Sequence, residues 1–249
     1  MSTLTMIEKK ESTAYVRWSR NERVQHWSLA ISFILLVITG FALKYPDSWW
    51  VRPVSGVEWL FDLRGLVHRI CGAVFLGLGV YHTLYMLGTH RGRMMISAFR
   101  PGMKDLRDAR QNIAYNLGMS KHPPQFGHFS YMEKAEYLAL IWGAAIMGIT
   151  GLMLWFENTT LRFFSKWVID LVTVIHLYEA WLATLAIVVW HFYYVIINPD
   201  IYPINTSMIT GKLTEKEMRD EYFLEWEALQ KRDSEEQAAE KIERETKKM

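Results

Sequence analysis

Four stretches of the chain read as helices long enough to cross a lipid bilayer. Residues 24–43, 70–89 and 137–156 contain no Asp, Glu, Lys or Arg, and residues 171–197 contain only Glu179. Each run is 20 residues or longer, roughly 30 Å of helix and so the thickness of the hydrocarbon core. Backbone polar groups in lipid must pair within the segment, so these runs are predicted as helices and not as loops. The expected fold is an all-α transmembrane four-helix bundle. Residues 1–23 form a polar arm, 24–200 the membrane domain and 201–249 a charged tail.

The polar segments set the expected orientation. Lys9, Lys10, Arg17, Arg20 and Arg23 precede the first run, and the segment after the second run adds Arg91, Arg93, Arg100, Lys104, Arg107, Arg110, Lys121 and Lys134. The two opposite loops hold only Lys44, Arg52, Arg64 and Arg69, then Arg162 and Lys166. The positive-inside rule therefore places both termini in the cytoplasm of a bacterial inner-membrane, multi-pass protein. Aromatic residues such as Trp49, Trp50, Trp59, Trp155, Trp167, Tyr193 and Tyr194 cluster at the run edges, as interfacial belts do. The loop at 90–136 is expected to cap the cytoplasmic side and to meet a partner or lipid head groups. The tail from Lys212 reads as a solvated helix laced with i,i+4 ion pairs.

Histidines inside these runs change the picture from a plain anchor to a redox protein. The fourth run carries His176 and His191, fifteen residues apart, and the second carries His68 and His82, fourteen apart. Fifteen residues are roughly 22 Å of helix, and at about 100° per residue the two rings project within roughly 60° of each other. Ionisable groups in membrane helices are costly and are usually functional. Two parallel helices with histidines at matched depths predict bis-imidazole ligation of two b-type haems, one near each face. Gly72 and Ala180, one turn beyond His68 and His176, leave room beside each ring.

His26, at the start of the first run, makes a fifth membrane histidine. Either His26 or His82 partners His191, or a third haem exists; the residues alone do not choose. A histidine left over would pair with a haem propionate or serve quinone protonation. His90, His122 and His128 lie in the polar loop and read as surface residues.

Composition removes other chemistries. A net charge of +2 argues against a nucleic-acid binder. The single Cys71 allows neither an internal disulfide nor an iron–sulfur cluster, and no Cys-x-x-Cys-His is present for covalent haem. No proline lies inside any of the four runs, against the broken helices of a transporter. The rival from another class is a non-redox membrane anchor that tethers a partner enzyme. A short internal echo, Ile38-Thr-Gly-Phe-Ala-Leu43 against Ile149-Thr-Gly-Leu-Met-Leu154, suggests duplication of a two-helix unit.

These features resemble the cytochrome b subunits of membrane formate dehydrogenases and nickel–iron hydrogenases. The resemblance is carried by Arg23-x-x-His26-Trp27, His68, Thr150-Gly151, the paired His176 and His191, and Thr210-Gly-Lys-Leu-Thr-Glu215. A broader group of bacterial cytochrome b domain proteins is similar through His176-Leu-Tyr-Glu-Ala and Trp190-His-Phe-Tyr. The resemblance implies that His26 and His191 hold the inner haem and that His68 and His176 hold the outer one. His82 is then free. It implies that a quinone, menaquinone or ubiquinone, lies beside the inner haem near Ser130 and Glu133. It further implies an iron–sulfur protein or multihaem cytochrome c as redox partner subunit. The fourth-run spacing is one residue longer than the usual fourteen of that family, which calls for a helical bulge.

Overall fold

The computed structural model describes residues 14–55, 57–199 and 201–247. Lys9 and Lys10 of the arm lie outside them. Four long apolar helices dominate: Arg20–Lys44, Glu58–Gly88, Tyr131–Trp155, and Lys166–Leu185 continued to Ile197. They alternate in direction, so the starts of the first and third and the ends of the second and fourth share one end of the bundle. This terminal end also gathers the chain segments before Arg20 and after Ile197. Side by side, the first packs chiefly on the second and the third on the fourth, and the second also meets the third.

Polarity is arranged as lipid demands. Ile31, Leu84, Trp142, Leu182 and Val189 all lie on the exterior, each more than half exposed. Most positions buried in the described spans are instead small or polar, among them Ser32, Thr39, Ala42, Cys71, Gly143, Gly148 and Thr150, with Met86, Ile169 and Val172 as the large apolar exceptions. With no hydrophobic gain between helices in lipid, close backbone approach and hydrogen bonds hold them together.

The fourth helix changes pitch where its spacing is long. Residues Ala186–His191 and Tyr193–Ile197 are wound as π-helix. Each i→i+5 turn takes up one residue more than an i→i+4 turn. That absorbs the extra residue between His176 and His191 and turns His191 back toward the bundle.

The terminal end holds more structure than its charge suggests. The 90–130 segment forms two helices, His90–Phe99 and Met103–Asn116, in place of a loop. The first starts on a Thr89 cap, whose hydroxyl accepts from the Gly92 amide at 2.9 Å. Two strands not expected from the sequence, β1 (Ala14–Val16) and β2 (Lys212–Thr214), pair antiparallel with Tyr15 opposite Leu213. Beyond β2, the tail folds back before it becomes solvated. Leu213, Met218 and Tyr222 are buried with Tyr15, Trp226 and Leu229 against them. Only the outer part of helix Phe223–Thr246 matches the solvated reading, with Arg244–Glu240 and Lys247–Glu243 pairs at i,i+4.

Candidate functional site

Two pairs of histidines face each other across the bundle, one toward each end. At the far end, the ring centres of His68 and His176 are 6.4 Å apart with planes at 74°. At the terminal end, those of His26 and His191 are 6.3 Å apart at 40°. Two imidazoles on opposite sides of one metal ion, at ~2 Å per metal–nitrogen bond plus the ring radii, place their centres about 6 Å apart. Both gaps thus suit a bis-histidine haem iron.

Hydrogen bonding fixes the tautomer of the far pair. Thr39 Oγ1 lies 3.0 Å from His68 Nδ1, and Thr150 Oγ1 lies 2.8 Å from His176 Nδ1. Each threonine also donates its hydroxyl proton to its own helix, Thr39 to Leu35 O and Thr150 to Ile146 O, both at 2.6 Å. A hydroxyl has a single proton, so toward the ring each oxygen can only accept. Nδ1 therefore carries the imidazole proton, and Nε2 keeps its lone pair for a metal. Such outer bonds orient a ligating ring and raise its basicity.

The residue after each threonine is glycine for a steric reason. A Cβ on Gly40 would sit 3.1 Å from His68 Cε1, and one on Gly151 would sit 3.4 Å from His176 Cε1. The echoed Thr-Gly pair is thus one device used twice: the threonine holds the ring and the glycine lets it approach. The sequence displayed the repeat, but not its target on another helix. Gly72, expected to clear space beside His68, has Leu36 as its nearest neighbour at 4.0 Å, and Gly77 and Gly79 face open space.

The terminal pair is held differently. His191 Nδ1 has the Glu136 carboxylate at 3.4 Å, and the other oxygen of Glu136 is buried without a hydrogen-bond partner among the described residues. His26 Nδ1 is likewise buried and unpartnered among them. Glu136 was not among the residues singled out from sequence; as one of three charges in Glu-Lys-Ala-Glu at a helix start, it gave no distinguishing signal. The flanks of His26 anchor its helix instead. Arg23 bonds Ile209 O, and Trp27 Nε1 donates to Met208 O at 3.0 Å. Two motifs far apart in sequence, Arg23-x-x-His26-Trp27 and the stretch opening at Thr210, therefore meet in space. Gly211 makes the contact possible: its φ of 81° is left-handed, and its carbonyl accepts from the Arg17 and Trp18 amides at 2.9 and 3.1 Å.

His82 stands apart from both pairs. Its Nδ1 is 2.7 Å from Gln25 Oε1 and its Nε2 is 3.0 Å from Tyr137 Oη, so both ring nitrogens are engaged. Ser130 and Glu133 form a capping box at the third helix start. The Ser130 hydroxyl accepts from the Glu133 amide at 3.2 Å and donates to the Glu133 carboxylate at 2.9 Å. Glu133 also accepts from Tyr222 Oη at 2.9 Å and pairs with Arg17 at 3.4 Å.

Arg17, only 3% exposed, is the hub of this end. Its guanidinium lies 4.1 Å from the Tyr222 ring centre and 4.9 Å from that of Phe129. Burial, and then the Glu133 charge, push the Tyr222 hydroxyl well above its ordinary pKa. Burial works to raise the Glu225 carboxyl, but the 2.6 Å bond from His128 and the Arg17 charge outweigh it and hold the pKa low. His128, expected at the surface, is thus part of the tail's anchorage. Beside it, Arg91 grips Glu22 through two bonds at 2.7 and 2.9 Å, and this bonding raises the Arg91 pKa.

An apolar four-helix bundle with paired inward histidines is the architecture of a membrane cytochrome. The model of the prokaryotic cytochrome b561 family matches residues 17–211, and the chain belongs to that family. It is similar to the formate dehydrogenase cytochrome b556 subunit of Haemophilus influenzae, with 23% identity over 190 residues, covering 76% of this chain and 74% of the relative. It is also similar to the formate dehydrogenase cytochrome b556(fdo) subunit of Escherichia coli K12, with 21% identity over 189 residues, 69% of this chain and 81% of that one. The chain is a membrane cytochrome b electron-transfer subunit, and its family implies b-type haem.

Proposed function

We propose that the chain holds two b-type haems and passes electrons between the quinone pool and a redox partner subunit of a respiratory oxidoreductase. His68 and His176 hold the far haem, and His26 and His191 hold the one at the terminal end. The observation that carries this reading is the pair of matched gaps, 6.4 and 6.3 Å between ring centres, at two depths of one bundle. When bound, haem supplies reversible one-electron chemistry at its iron. The chain's own part is positional: threonines and glycines fix the far rings, the π turns aim His191, and lipid-facing side chains keep water out. The two depths are roughly 22 Å apart along the helix.

The Lys/Arg excess at the terminal end supports a cytoplasmic location for it, in the inner membrane. The quinone site belongs there, where the third helix starts. Ser130 and Glu133, engaged in the capping box, set the start of the helix whose second turn carries Glu136 and Tyr137. The partner subunit, proposed as an iron–sulfur or multihaem protein, belongs at the far, periplasmic end; that the similar proteins are named as formate dehydrogenase subunits supports a redox partner.

The test is a haem count with dithionite-reduced spectra of the purified, haem-supplied protein. Two b-type haems per chain are expected, with one lost on His176→Ala and the other on His191→Ala. A protein that binds no haem, or variants that keep both, would overturn the assignment and leave the membrane-anchor reading.

A further inference from the structure

We propose that His82 and Tyr137 form the proton-exchanging pair of the quinone site, with Gln25 setting its polarity. The inference rests on the electron-transfer reading above and concerns the one membrane histidine that reading leaves unused. Three helices contribute: Gln25 from the first, His82 from the second and Tyr137 from the third. Their bonds form a directed chain. Asn21 Nδ2 donates to Tyr81 Oη at 2.7 Å, and Gln25 Nε2 donates to Asn21 Oδ1 at 2.5 Å. The amide oxygen of Gln25 therefore faces His82 Nδ1 at 2.7 Å, and only a protonated Nδ1 can bond it. His82 Nε2 is then an acceptor, and the Tyr137 hydroxyl at 3.0 Å is its donor.

A histidine with this tautomer is a base with a tyrosine in front of it. The neighbouring acidic groups are otherwise engaged: Glu22 bonds Arg91 and Tyr85, and Glu136 faces His191. The pair also lies beside the electron path. Gln25 immediately precedes His26, and Tyr137 immediately follows Glu136. The Tyr137 ring is stacked 4.0 Å from Phe99, which leaves its hydroxyl as the reactive end.

The step balances as follows for a quinol. A quinol hydroxyl passes its proton to Tyr137 Oη as the Tyr137 proton moves to His82 Nε2, giving an imidazolium whose Nδ1–H stays on Gln25. The imidazolium releases a proton to water at the terminal end, six residues or about 9 Å of helix away, and the second proton follows the same way. The quinol's two electrons leave singly by the electron-transfer activity proposed above, and quinone remains. Quinone reduction is the same sequence reversed.

The full-length, haem-loaded protein provides the test, with duroquinol as electron donor and duroquinone as ligand. Tyr137→Phe and His82→Gln should each slow haem reduction by duroquinol about 100-fold, and the double variant should be no slower than either single, as for groups acting as a unit. Tyr137→Phe should also weaken duroquinone binding, read by calorimetry. Both variants should keep two haems with unchanged absorption bands. Full rates in both variants would overturn the proposal, and so would loss of a haem in His82→Gln, which would make His82 a ligand. A wild-type chain with no haem would sink the electron-transfer reading instead.

Discussion

The two histidine pairs have nearly equal gaps but are built on different terms. At the far end every ring is held by a threonine that has no freedom to donate elsewhere, on regular α-helix, with a glycine cleared beside it. At the terminal end, one ring rides on π turns with a carboxylate at 3.4 Å, and the other has an unpartnered Nδ1 among the described residues. Rigid, symmetric support suits a site that only relays electrons. A less saturated site suits one where a diffusing substrate arrives and protons move.

Insertion and deletion in the fourth helix should expose this contrast most strongly. An alanine inserted after Leu182 adds a residue in regular helix and swings His191 by about 100° relative to His176. The protein should then bind one haem, the far one. Deleting Val188 from the π stretch should instead return it to α-helix and keep two. Haem per chain measures both, and a tolerated insertion would break the account of the π turns.

Next in size are the threonines. Thr39→Val or Thr150→Val removes the Nδ1 acceptor and should weaken haem retention at the far end about 10–100-fold, leaving the terminal-end haem in place. Haem transfer to apomyoglobin reads both sites in one sample. Gly40→Ala should act in the same direction and more strongly than Gly151→Ala, since its added methyl meets the ring at 3.1 against 3.4 Å.

Glu136→Gln should have a smaller effect confined to the other end. A carboxylate facing a ligating histidine makes the ring more electron-donating, so its loss should raise the midpoint potential of the terminal-end haem alone. Redox titration in which both haems shift, or neither, would erase the proposed asymmetry. Smallest should be an effect of acid on the tail. Glu225 has a lowered pKa in the fold, so its stabilising contribution is present above the unfolded carboxylate value, about 4.3, and is lost as pH falls through the folded value. Protease sensitivity of the tail should rise over that acid range, and Glu225→Gln should remove the dependence.

How much of this was legible depended on whether both halves of a contact left a mark in local pattern. The spans did, because lipid imposes a continuous apolar run. Ser130-x-x-Glu133 ahead of an apolar run also left the mark of a capping box, although the pair was expected beside a quinone. The choice between His26 and His82 did not: the groups that engage His82, Gln25 and Tyr137, lie 57 and 55 positions away. The folded tail did not either. Three-residue strands paired across some 200 positions have too little length for alternation to show, and a buried Arg17 among three aromatic rings looks in sequence like any surface cation.

The clasp around Gly211 has a consequence for biogenesis. Residues 14–18 cannot meet 211–214 until translation has passed all four spans. During synthesis the first two spans can pack on each other while the face that will receive the last span stays open to incoming porphyrin. Closure of the seam, about two helical turns from His26, then works as a latch fastened only after the fourth span has been made.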